Sequence, residues 1–294
     1  MSAEPLPTSD VIGLTKVAPF SRRGFMTASA AVTAGYTLAA GPVRADVIKT
    51  DTKGLATGDA RIKVADGEMP CYFARPAGVS NPPAVLVAME IFGLHEYIKD
   101  VTRRLAKLGA FAVAPDYYFR KADLTKITDI PQLLPIVNSK PDAELLSDLD
   151  STVAWAKSEG GDTSRLGIIG FCRGGRTVWE YAAHSSALKA CAAFYGPLVD
   201  PPNPVWPKSP TQLAGEMKAP VLGLYGEADT GIPVATVKAF KAALAANKKT
   251  AEFKIYPAAP HGFHADYRPS YRKDAAEDAW SHMQTWFRKY GVLS

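Results

Sequence analysis

The stretch Leu166-Gly-Ile-Ile-Gly-Phe-Cys172-Arg-Gly-Gly175 limits what this chain can fold into more than any other. A short apolar run, Leu166 to Ile169, meets Gly170. Cys172 follows, then two glycines, then Thr177-Val-Trp-Glu-Tyr-Ala-Ala, whose composition is helical. The sequence therefore predicts a strand, a sharp turn and a helix, with Gly-x-Cys-x-Gly at the turn. That is the pattern of a nucleophile elbow, with Cys where Ser is commoner. The glycines have a steric task, because a turn that projects one side chain leaves no room for neighbouring Cβ atoms. The plainer reading is a buried Cys in a glycine-rich connection, since a free thiol packs as a small hydrophobe. The rest of the chain chooses between them.

The continuous apolar run from Ala84 to Met89 marks a strand buried on both faces of a parallel sheet, and Ala110 to Ala114, Leu188 to Phe194, Pro220 to Tyr225 and Glu252 to Tyr256 read as further strands. Helical spacing separates them. It runs from Leu94 to Leu108, stopping at Gly109, from Asp142 to Lys157, from Val234 to Ala246, and from Tyr271 to Tyr290, where Trp280, Met283, Trp286 and Phe287 share an apolar face. Ahead of these, residues 46–57 read as an exposed lead-in. Ala60 to Val64 and Cys71 to Arg75 read as a hairpin across Asp66-Gly67. An irregular excursion is expected between Asp116 and Pro141, and a loop with six prolines and Trp206 between Gly196 and Pro210. Strands alternating with helices predict an α/β fold, a doubly wound, mostly parallel sheet with helices on both faces. Residues 46–294 show no linker and read as a single domain.

Residues 1–45 do not belong to it. Ser21-Arg22-Arg23-Gly24-Phe25-Met26 precedes a weakly apolar segment, Thr27 to Ala40, and then Pro42-Val-Arg-Ala45. This resembles a twin-arginine export signal, cut after Ala45, so the expected partner is the twin-arginine export machinery and the expected location periplasmic or exported. Gly24 to Val43 is uncharged but too rich in Thr, Gly and Pro to favour a stable span, so no membrane anchor is expected after cleavage. The formal net charge of +5 comes with no basic stripe, which argues against nucleic acid. Three Cys make no disulfide framework for a domain of this size. Cys71 and Cys191 read as packed thiols, with a bridge between them left open in an oxidising compartment. His261 and His264 lack partners at zinc spacing, so neither metal nor cofactor is expected.

In open α/β sheets ligands sit beyond the carboxyl ends of the strands. Four polar residues follow such ends: Glu90, Cys172, Asp229 and His261, the last in Pro260-His-Gly-Phe. A thiol needs a nearby base to become a thiolate; an imidazole can take that proton, and a buried carboxylate fixes its tautomer. Each residue has a plainer reading: Asp229 as a turn Asp before Pro233, His261 as a loop His, Glu90 as a solvated acid. Their joint placement, in the chain order nucleophile, acid, His, favours a Cys–His–Asp site.

Here the chain resembles the dienelactone hydrolase family of the α/β-hydrolase fold. Met89-Glu-Ile-Phe-Gly93, Pro115-Asp-Tyr-Tyr-Phe-Arg120, Gly170-Phe-Cys-Arg-Gly-Gly175, Tyr225-Gly-Glu-Ala-Asp229 and His261-Gly-Phe carry the resemblance. It implies Cys172 as nucleophile, His261 as base, Asp229 as its orienter, and Glu90 as an extra carboxylate that helps take the thiol proton. It also implies Arg120 as the partner of a substrate carboxylate, hence an anionic small-molecule ester or lactone as substrate. The family's second arginine, four positions after the histidine, is replaced by Ala265, with Arg268 three further on. Backbone N–H groups of Ile91 and Arg173 would form the oxyanion hole. The Arg173 side chain is expected to make a surface or loop contact, and His95 and His282 are expected at the surface. His184 is expected to be structural, and His264 and Tyr267 are candidates for the pocket wall. Two other readings compete. A non-catalytic binding protein would be expected to lose a triad member, and none is missing. A redox thiol would want a resolving Cys closer than Cys191.

Overall fold

The computed structural model describes residues 47–294, Pro202 excepted, so the leader expected over residues 1–45 lies outside the described residues. A hairpin of two ten-residue strands, β1 (Leu55–Val64) and β2 (Gly67–Pro76), forms one edge of a sheet. β3 (Pro83–Ala88), β4 (Phe111–Pro115), β5 (Asp162–Phe171), β6 (Leu188–Phe194), β7 (Val221–Gly226) and β8 (Ala251–Tyr256) complete it. The spatial order is β1-β2-β4-β3-β5-β6-β7-β8. β2 meets β4 antiparallel, and every pairing from β4 to β8 is parallel. The order reverses at β3, because β4 lies on one side of it and β5 on the other. Open α/β sheets bind ligands at such a reversal, and Glu90 and Cys172 follow the ends of β3 and β5 there.

The helices are α1 (Glu96–Lys107), α2 (Ile130–Asn138), α3 (Asp142–Ser158), α4 (Arg173–His184), α5 (Val234–Ala246) and α6 (Lys273–Lys289). β5 shows how both faces are covered. Gly167 backs onto Phe287 of α6 and Val292 beyond it, whereas Gly170, on the opposite face by the strand's period of two, backs onto Gly174 and Val178 of α4. Residues 173–183 of α4 are all buried. Its Val178 and Trp179 each contribute about 2–3 kcal/mol of burial, and Trp179 Nε1 finds a partner in the Tyr225 hydroxyl at 3.0 Å.

One expectation is corrected, one is extended, and one open alternative is closed. The excursion between Asp116 and Pro141 contains a 3-10 turn, Leu124–Lys126, and α2. Pro131 stands in the first turn of α2, where its missing N–H has no helical acceptor to lose, while Ile130, Leu133 and Val137 bury one face despite Pro135. The lead-in is tied down: Thr50 donates to Asp100 from its N–H (2.6 Å) and hydroxyl (3.2 Å), and accepts from Arg103 Nε at 3.0 Å. A Cys71–Cys191 bridge is ruled out by topology. β2 and β6 are four strand positions apart, about 19 Å, beyond the reach of a disulfide. All three thiols are free and buried, and burial pushes Cys71 up to about 12.

Candidate active site

Backbone contacts build the elbow. A Cβ on Gly174 would lie 2.1 Å from the carbonyl oxygen of Ala88, and one on Gly170 2.2 Å from that of Gly174, so α4 closes onto β3 and β5 only because both positions lack side chains. Cys172 is forced to φ 55°, ψ −120°, a conformation that costs about 1–3 kcal/mol in a non-glycine residue. Its N–H donates to Phe194 O at 3.0 Å, and its carbonyl accepts from Gly175 and Arg176 at 2.9 and 3.3 Å. The side chain thus stands at the N-terminus of α4, where the helix dipole favours negative charge.

Cys172 Sγ lies 3.2 Å from His261 Nε2. On the far side of the ring, His261 Nδ1 donates to Asp229 Oδ2 at 2.7 Å. The other Asp229 oxygen accepts the N–H groups of Gly231 (2.9 Å) and Ile232 (3.1 Å), which locks the carboxylate. The loops after β7 and β8 are joined by Glu227 N–H to Tyr256 O at 2.9 Å and Ala228 N–H to Ala259 O at 3.0 Å. Burial works against a charged His261, but the Asp229 carboxylate and the Cys172 sulfur outweigh it and hold the imidazole well above its ordinary value. Such a row can take a proton from sulfur and stabilise the imidazolium that results.

Glu90 is buried just past β3. Its Oε2 accepts from the Tyr267 hydroxyl at 2.8 Å and faces His95 Nε2 at 3.4 Å. Burial alone would raise its pKa; the contact with His95 and the charge of Arg268 win and hold it below the ordinary carboxylate value. His95 was expected at the surface and Arg268 had no assigned part, yet both stand beside Glu90. His264 lies behind them, its Nδ1 2.7 Å from the Tyr97 hydroxyl. Burial, with Arg104 adding to it, pushes His264 down to about 3, so its imidazole is neutral. Among the described residues, the N–H groups of Ile91 and Arg173 donate to no backbone carbonyl.

Arg120 is committed elsewhere. It grips Asp66 through Nε and Nη2, at 2.8 and 2.6 Å, and Asp148 through Nη1 at 2.8 Å, with Glu144 at 3.0 Å. Glu144 and Asp148 are one turn apart on α3, and Lys140 joins them, 2.6 Å from Asp148. A fork filled by the protein's own carboxylates is not offered to a substrate, which corrects that expectation. The Arg173 side chain makes the loop contact expected of it, buried with its guanidinium 3.8 Å from the centre of the Trp206 ring. His184 bonds Asp150 at 2.8 Å, and His282 lies 3.2 Å from Asp278. As for redox pairing, Cys191 stands opposite Ile168 in the register, four residues back from Cys172. That is about 13 Å along the strands, too far for a disulfide without rearrangement.

The family model for the dienelactone hydrolase family matches residues 69–291. The chain belongs to the dienelactone hydrolase family. A protein of Methylorubrum extorquens named "putative carboxymethylenebutenolidase" is 52% identical over 287 residues, covering 97% of this chain and 98% of that one. One of the same name from Escherichia coli K12 is 45% identical over 259 residues, covering 87% and 96%. The crystal structure of a "putative dienelactone hydrolase" from Klebsiella pneumoniae is 47% identical and superposes with a TM-score of 0.79, over 80% of this chain and 99% of that one. The protein is thus a hydrolase of the dienelactone hydrolase type on the α/β-hydrolase fold. Among the described residues, no group of three or more His, Cys, Asp or Glu could hold a metal, and no helix is long and apolar enough to cross a membrane.

Proposed function

We propose that this dienelactone hydrolase-like chain is a cysteine-dependent hydrolase of a lactone or activated ester, working through an acyl-thiol intermediate on Cys172. The observation that carries the reading is the unbroken row Cys172 Sγ, His261, Asp229, at 3.2 and 2.7 Å, standing on a strained elbow. His261 Nε2 takes the thiol proton, and sulfur attacks the acyl carbon. The N–H groups of Ile91 and Arg173 hold the oxyanion, and the imidazolium protonates the leaving oxygen. Water then attacks the thioester with His261 again as base. Glu90 is the second proton acceptor at the reacting centre. Arg268, whose charge acts on both Glu90 and Cys172, takes the place expected of Arg120 towards an anionic acyl group.

The test is a panel of carboxylate-bearing lactones and neutral aryl esters, assayed with wild type, Cys172→Ala and Cys172→Ser. Loss of hydrolysis in the Ala variant with an unchanged fold is expected. Strong impairment is expected in the Ser variant, whose hydroxyl is a far weaker acid. Mass spectrometry of quenched wild type should show the acyl adduct on the peptide containing Cys172. Normal turnover in Cys172→Ala would refute the assignment. From the Arg22-Arg23 leader alone, the protein is further proposed to be exported and cut after Ala45.

A further inference from the structure

His95 occupies the N-cap of α1, where Ser, Thr, Asp or Asn ordinarily gives a side-chain oxygen to the first helical N–H groups. Its side chain makes no capping bond. The ring instead packs edge-on against Tyr267, with centroids 5.1 Å apart, and stacks on Tyr97 at 6.0 Å. This turns Nε2 towards Glu90 Oε2 at 3.4 Å. Glu90 is 3% exposed at its side chain and His95 18%. An imidazole has therefore left the local task of its position to join a buried carboxylate to the outside.

Such a route would serve the reaction. Near neutral pH, hydrolysis of one ester bond converts ester and water into an alcohol, a carboxylate and one proton. The acyl C–O bond breaks, the water oxygen bonds to the acyl carbon, and one hydrogen of water ends on the leaving oxygen. The other is surplus. The Cys172–His261 pair is regenerated each cycle and keeps none of it, so the surplus proton starts on the new carboxyl group, beside residues that are themselves buried.

We propose that His95 is the proton outlet of this site. Glu90 takes the surplus proton; the O–H bond at Oε2 breaks as an N–H bond forms at His95 Nε2; and the imidazolium then releases its Nδ1 proton to water. Exchange of the remaining ring proton from Nε2 back to Nδ1 through water resets the imidazole for the next cycle. Glu90 is an anion again before the next turnover. The other groups facing His95 do not suit this part: burial holds the phenols of Tyr97 and Tyr267 well above their ordinary values, and Arg268 stays a cation. His95 touches no reacting atom and acts through Glu90, so the inference rests on the part given to Glu90 above.

His95→Asn separates this from a structural role, because Asn is a good N-cap and should leave α1 at least as stable. In dilute buffer at constant pH, kcat of His95→Asn should fall by about ten- to a hundredfold, at or below the low end for a positioned acid–base group. KM should hold. His95→Ala should show the same loss, with kcat recovering as imidazole is added, while wild type ignores buffer concentration. Wild-type kcat in His95→Asn, or a loss in His95→Ala that imidazole does not restore, would overturn the outlet. Glu90→Gln, measured alongside, tells the two failures apart. Full activity there removes the part given to Glu90, whereas impaired Glu90→Gln beside normal His95→Asn overturns the outlet alone.

Discussion

Asp229→Asn changes one atom of the row and leaves its frame standing. In the native site Oδ1 accepts from Gly231 and Ile232 while Oδ2 accepts from His261 Nδ1. Asn keeps one oxygen, and the two backbone N–H groups claim it. The amide NH2 must then face His261 Nδ1, which becomes an acceptor. The ring proton moves to Nε2, pointing at Cys172 Sγ 3.2 Å away. A base that already carries its proton cannot take another from the thiol. The wrong tautomer should lower kcat by about 10⁴-fold, or about 5 kcal/mol, with KM little changed. Stability follows a separate logic. His261 is raised in the folded state, so its pairing with Asp229 stabilises fully below the unfolded value of about 6.5 and fades as pH rises through the higher folded value. Urea denaturation should therefore place the variant about 1–3 kcal/mol below wild type near pH 6, with the gap closing in alkali. A kcat within tenfold of wild type would refute the tautomer argument, and a gap that widens with pH would refute the linkage.

Arg120→Ala should cost about 2–4 kcal/mol of stability, since it strips a cation from buried Asp148 and leaves Lys140 as its remaining partner. Its residual activity should fall equally on carboxylate-bearing and neutral esters; selective loss on the former would return Arg120 to the substrate. Replacing Arg22 and Arg23 by Lys should keep the uncut precursor in the cytoplasm, as fractionation and N-terminal sequencing would show; continued processing would dispose of the leader assignment.

The sequence was most legible where one period rules. Leu188–Phe194 and Val234–Ala246 have the bounds their apolar patterns predict, because a strand buried on both faces and an amphipathic helix leave little choice. β5 begins earlier than its apolar run. Asp162 already pairs with Pro83, and polar residues at the open end of a strand carry no hydrophobic signal. α2 was hidden by its two prolines. In the site, Glu90, Cys172, Asp229 and His261 were visible because each follows a strand end. Arg120 misled because its partners come from the hairpin turn and from α3, a meeting that tertiary structure alone creates. His95 did leave a trace, a histidine where a helix start wants a small oxygen-bearing residue.

The positive φ at Cys172 also separates activity from compactness. That torsion is held by carbonyl oxygens of β3 and α4 pressed against Gly174 and Gly170, so the elbow behaves as a spring held under load by its neighbours. A slight parting of α4 from β3 unloads it, and Cys172 relaxes away from His261 while the eight-stranded sheet stays paired. Under mild heat or denaturant, the contact between Cys172 and His261 should therefore be lost before the pairing of the sheet.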